Sequence, residues 1–236
     1  MLIGILIILI ICITYTYSET VNNESDFRNL VLNDKNEIEI NLQNKIYITN
    51  NLNITKSIQK ISIIGNSKEN SGIDFNNIQQ QIYFGENVKE IEIKNLSITG
   101  NIYFDDIKKI SIHNVAIYGN INSNFIENDY VKLSNVTYIS SSFLTENCIN
   151  LSGNVEISYS SFKGSSLCKN RLLMFNGNNE FSITINDSYF SGEYQCACIS
   201  IENAPNSSID NSTLEKGYGS ISIAGGYLWI YIYILN

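Results

Sequence analysis

Asp105 and Asp106, in the stretch YFDDIKK, form the only adjacent acidic pair within the repeated part of the chain. Paired carboxylates can hold calcium or divide acid and base roles across a sugar linkage. The preferred reading of the pair is a solvated turn whose charge is balanced by Lys108 and Lys109. His113, the single histidine, lies between Ile112 and Asn114 on the outward side of the local alternation, and without a neighbouring carboxylate it reads as a surface residue. Ser160, Ser161 and Ser188 recur at related positions and are expected to bond to turns, and no nucleophile can be paired with a base.

Cys196-Ala197-Cys198 has the look of a metal-ligand spacing, with Cys148 and Cys168 as further candidates. In a strand, residues i and i+2 share a face, so both thiols would point toward neighbouring chain segments. Disulfides among these cysteines, or buried thiols, are therefore expected in place of a metal, with the pairing left open. Tyr83, Tyr103, Tyr118, Tyr138, Tyr159 and Tyr189 also recur. Alignment assigns Tyr138 and Tyr159 to the interior, and the outward tyrosines could stack on sugar rings.

The elements that must position these residues are announced by a doubled phrase, EIEIKNLSITGN at 90–101 and KISIHNVAIYGN at 109–120. Its apolar anchors continue as Ile93, Ile112, Leu133, Ile157, Ile185 and Ile209, at steps of 19 to 28 residues. Two places after each anchor stands Asn95, Asn114, Asn135, Tyr159, Asp187 or Asn211, and five places after it another apolar residue. Each copy alternates with period two, so it is a strand, and the Asn marks a bend where a short amide tolerates unusual backbone angles. A second short strand follows in QIYF (81–84), NIYF (101–104), LLMF (172–175), CISI (198–201) and SISI (220–223). Units this small cannot bury their apolar faces alone, so they must stack into a parallel solenoid with an Ile-rich interior.

Repeats such as ISYSSFKG (157–164) and INDSYFSG (185–192) resemble those of the right-handed parallel β-helix, the pectin-lyase-like superfamily. The segment SDFRNLVLNDKN (25–36) places Phe27, Leu30 and Val31 on one helical face and resembles the amphipathic cap helix of those proteins. The resemblance implies an all-β, right-handed parallel β-helix over residues 37–236, with a short cap helix in residues 19–36. It also implies an asparagine ladder of Asn95, Asn114, Asn135, Asp187 and Asn211, with amides facing inward. The proline-and-arginine motif of the lyases is missing, since Pro205 is the only proline, and so is the Gly-His-Gly segment of the hydrolases.

Residues 1–18 read as a cleaved signal peptide: an apolar run from Leu2 to Ile13 spans about 18 Å as a helix, short of a bilayer core, and Thr16-Tyr17-Ser18 follows. An uncleaved signal, or an anchor beyond Asn236, is what would bring a membrane into play. A formal net charge of -8 argues against nucleic acid, and a polyanionic ligand would need calcium or a local basic patch. Asn-x-Ser/Thr signals occur at Asn23, Asn53, Asn150, Asn186 and Asn206, the expected glycan acceptors, and also at Asn95, Asn135 and Asn211. The last three, as inward ladder residues, are expected to stay unmodified. The apolar stretch from Tyr227 to Leu235 carries no polar cap, so the solenoid is expected to continue past it, to be covered by it, or to self-associate there. The sum is a secreted or cell-surface, non-catalytic protein serving adhesion, glycan binding or spacing, with no cofactor. The alternative is a calcium-dependent lyase, or a hydrolase, acting on pectin-like acidic polysaccharide through Asp105 and Asp106.

Overall fold

The computed structural model describes residues 17–33, 35–124, 130–140, 145–218, 221–224 and 228–235. The apolar run assigned to a signal lies outside them, and the described chain opens at Tyr17 in strand Tyr17–Val21. Helix Glu24–Leu32 follows, capped by the Asn23 side chain, which accepts from the Asp26 N–H at 3.0 Å. Its Phe27, Leu30 and Val31 are buried, and Arg28 reaches from Glu24 (2.7 Å) to the carbonyls of Asn50 (2.8 Å) and Asn51 (3.2 Å) on the first coil.

Beyond the helix the chain winds as a parallel β-solenoid. One 15-stranded sheet collects the anchor strands, among them Glu37–Leu42, Ile58–Gly65, Val88–Thr99, Lys109–Tyr118, Tyr130–Ser134, Asn154–Ser158, Ile183–Asn186 and Ser207–Glu215. An 8-stranded sheet collects Leu52–Ile54, Gln81–Phe84, Asn101–Asp105, Ile121–Asn124, Thr145–Leu151, Cys168–Asn176, Ala197–Glu202 and Ile221–Ala224. Strand Leu228–Leu235, the apolar tail of the sequence, pairs in parallel with Ser207–Glu215. Three of the second-sheet strands, at Leu52–Ile54, Ile121–Asn124 and Thr145–Leu151, join those expected from sequence.

The register follows the repeat. Ile93, Ile112, Leu133, Ile157, Ile185 and Ile209 are direct neighbours from coil to coil, and all are buried. Five places on, Ile98, Ile117, Tyr138, Phe162, Phe190 and Leu214 form a second buried column, in which the Phe162 and Phe190 rings stack at 4.7 Å. Each such side chain contributes about 1.5–3 kcal/mol by leaving water, and the stack of coils supplies the contacts that one coil lacks.

The bends explain both the ladder and a correction to it. Asn95, Asn114, Asn135, Tyr159, Asp187 and Asn211 all take left-handed backbone angles, with φ between 46° and 54°. This conformation puts two successive residues on the outside, so the residue after the bend points in. Leu96, Val115, Val136, Ser160, Ser188 and Ser212 hold the inner position and are buried, whereas the ladder side chains are half-buried or exposed. The ladder amides therefore do not face inward. The same geometry overturns the interior assignment of Tyr159, which is 70% exposed, while Tyr138 is fully buried.

Cys148 and Cys168 are joined by a disulfide between adjacent coils, and Cys196 and Cys198 are buried free thiols. Burial pushes the Cys196 thiol up to about 11. Among the described residues, no helix is long and apolar enough to cross a membrane.

Candidate glycan-binding groove

The outer ladder is bonded from coil to coil on either side of Tyr159. Asn114 Nδ2 donates to Asn95 Oδ1 at 2.8 Å and Asn135 Nδ2 to Asn114 Oδ1 at 3.0 Å, while Asn211 Nδ2 donates to Asp187 Oδ1. Tyr159 interrupts the series, and its ring stands in solvent where an amide would have bonded to the next rung. Beneath it runs an inner serine ladder: the Ser160 N–H donates to Ser188 Oγ (3.2 Å), and the Ser188 N–H to Ser212 Oγ (3.1 Å). The Ser188 hydroxyl in turn donates to the Asn186 carbonyl at 2.7 Å, and this holds the bend beside the ring rigid.

Around Tyr159 the outer face of the first sheet forms a groove of about 830 Å³, reaching from His113 and Ser134 past Ser158 to Asn186, Asp187, Asp210 and Asn211. Register makes this lining one column: His113, Ser134, Ser158, Asn186 and Asp210 are neighbours on successive coils. His113 Nδ1 lies 2.8 Å from Ser134 Oγ, which gives the otherwise isolated histidine a hydroxyl partner. On one wall Lys132 Nζ meets Glu156 Oε1 at 2.7 Å, and the Tyr130 hydroxyl donates to the same carboxylate. The bond from Lys132, with that from Tyr130, holds the Glu156 carboxyl below its usual range, while burial and then Glu156 push the Tyr130 hydroxyl up to about 12. A second hollow of about 210 Å³ adjoins and shares Glu156 and Asn186, with Tyr130 on its rim. Tyr130 pairs with Asn154, which lies five residues along the coil from Tyr159, so the two aromatic rims are roughly 16 Å apart at strand rise.

Asp105 and Asp106 are elsewhere. Asp105 ends strand Asn101–Asp105, and its Oδ2 accepts from the Tyr83 hydroxyl at 2.6 Å, which with burial pushes that hydroxyl up to about 12. Asp106 sits in a turn with φ 50°. Nearby, Lys109 Nζ lies 3.7 Å from Glu90 one coil away. Among the described residues, no group of three or more His, Cys, Asp or Glu is placed to hold a metal ion.

Tyr83 and Tyr103 are neighbours on the outer face of the second sheet, with rings stacked at 5.3 Å. The expected glycan acceptors are spread over the molecule. Asn23 caps the helix, Asn53 is exposed on Leu52–Ile54, and Asn150 donates to Asn122 Oδ1 at 2.7 Å. Asn186 lies in the groove, and Asn206 is exposed at φ 59°. Ser160 and Ser188, read from sequence as turn-bonding, belong to the inner ladder, whereas Ser161 is half-buried on strand Ser161–Lys163. The groove as a unit is not legible in the sequence, because its lining comes from five coils and alignment places its centre, Tyr159, inside.

No family model matches the chain, and no curated protein matches it.

Proposed function

We propose that this β-solenoid is a non-catalytic, extracellular or cell-surface glycan-binding protein that holds a short oligosaccharide in the groove between Tyr159 and Tyr130. One observation carries the reading: Tyr159, 70% exposed, breaks an otherwise amide-bonded ladder and presents an aromatic face at the centre of a groove lined with hydroxyl, amide and carboxylate groups. Aromatic faces cover the apolar side of a sugar ring, and the flanking Ser, Asn and Asp groups suit its hydroxyls. The extracellular setting is supported by the apolar leader, the Asn-x-Ser/Thr signals and a disulfide. The coil pattern supports kinship with the pectin-lyase-like superfamily in architecture.

Calorimetric titration of cellohexaose, xylohexaose and mannohexaose into wild type and Tyr159→Ala tests this reading. At least one of these neutral sugars should bind, and Tyr159→Ala should weaken it about tenfold, the equivalent of about 1.4 kcal/mol. Failure of all three to bind wild type, or equal binding by the variant, would sink the proposal.

A further inference from the structure

The chain has two arginines. Arg28 is committed, with Nε and both terminal nitrogens bonded to Glu24, Asn51 and Asn50. Arg171 is held more loosely. A terminal nitrogen makes an ion pair with Glu202 Oε1 at 3.8 Å, beyond hydrogen-bond reach, and its guanidinium makes no hydrogen bond among the described residues.

Local structure sets how this cation is presented. Cys168 is drawn inward by its disulfide, and the pairing of Thr145–Leu151 with Cys168–Asn176 slips at that point: Thr145 opposes Cys168, whereas Asn147 opposes Arg171. The strand carrying Arg171 therefore has one extra residue, and the bulge turns Lys169 and Asn170 outward together. Both are exposed, and Lys169 has no ion-pair partner among the described residues. On the next two coils Gln195 is exposed beside them, and Tyr218, 82% exposed, is fixed by its N–H to the Cys196 carbonyl at 3.1 Å. These side chains line an open surface pocket of about 440 Å³.

We infer that this pocket binds an oxyanion, carboxylate or sulfate, carried on a sugar ring. Arg171 offers the planar fork that oxyanions take in bidentate fashion, with Lys169 as a second positive charge. Asn170 and Gln195 supply amide donors to the ring hydroxyls, and Tyr218 supplies a face for the ring itself. In a chain of net charge -8, an Arg held by one long ion pair and a Lys without an ion-pair partner among the described residues line the same pocket and form a local basic patch for an anionic ligand. The pocket is lined by none of the residues of the Tyr159 groove, so the two sites can be tested separately.

The probes are cellobiose, cellobiouronic acid and cellobiose monosulfate, titrated at low salt into wild type, Lys169→Gln, Arg171→Gln, Tyr218→Ala and Tyr159→Ala. At least one acidic disaccharide should bind ten or more times more tightly than cellobiose, and which one does so identifies the anion. Arg171→Gln should cost about tenfold and Lys169→Gln a smaller factor that vanishes at high salt, while Tyr159→Ala should leave acidic-sugar binding unchanged. Lys169 is exposed, so its variant keeps the test sound if Arg171→Gln perturbs folding. Equal binding of neutral and acidic disaccharides would overturn the inference, as would acidic-sugar binding lost in Tyr159→Ala but kept in both Gln variants.

Discussion

Removing one buried hydroxyl, in Ser188→Ala, probes the inner ladder that fixes the bend beside Tyr159. Ser188 is 4% exposed, and its Oγ accepts the Ser160 N–H at 3.2 Å while donating to the Asn186 carbonyl at 2.7 Å. The carbonyl loses little, because it also accepts from the Tyr159 N–H at 3.2 Å. Among the described residues the Ser160 N–H has no second acceptor, and it sits at a residue only 3% exposed. Stranding a buried donor costs about 1–3 kcal/mol, so a loss of about 2 kcal/mol is expected. For a chain of this size that lowers the melting temperature by about 4–8 °C. Urea unfolding followed by circular dichroism reads the stability, and hydrogen exchange at the Ser160 amide reads the specific bond. Ser161→Ala, half-buried on the opposite side of the strand, is the control and should stay within about 0.5 kcal/mol of wild type. A Ser188→Ala protein as stable as the control, with the Ser160 amide still protected, would refute the ladder.

Three other outcomes are expected. Replacing Cys148 and Cys168 together by Ala opens a cross-link that spans 20 residues and should cost about 3 kcal/mol in urea unfolding. Gly119→Ala places a Cβ 1.9 Å from the Gly100 carbonyl oxygen, a backbone atom that cannot move aside, and should cost about 3 kcal/mol by the same assay. Because burial raises the Cys196 thiol to about 11, its contribution is complete below the ordinary thiol range and is lost as pH rises through the folded value. The melting temperature should therefore fall between about pH 9 and 11, and Cys196→Ala should flatten that fall.

The solenoid was legible because its core is periodic: Ile93, Ile112, Leu133, Ile157, Ile185 and Ile209 announce their own stacking, and coil register follows from them. The bend at Asn95 and its equivalents was legible too, since short amides favour left-handed angles. What alternation cannot reveal is the side to which the chain returns after such a bend. The pattern consequently turns the ladder inside out and misplaces Tyr159. Short strands such as Ile121–Asn124 leave little trace in the sequence because so few of their residues are apolar. The bulge at Lys169 and Asn170 depends on the partner strand's register, which no local pattern encodes. The Cys148–Cys168 pairing likewise needed two coils set side by side.

The most direct test of the central claim is amide chemical-shift mapping of the protein titrated with whichever hexasaccharide it binds. The account predicts that the shifts gather on Ser134, Ser158, Tyr159, Asn186 and Asn211, which the register brings to one face from four coils. Shifts confined to the second sheet around Tyr83 and Tyr103, with the Tyr159 groove silent, would contradict it.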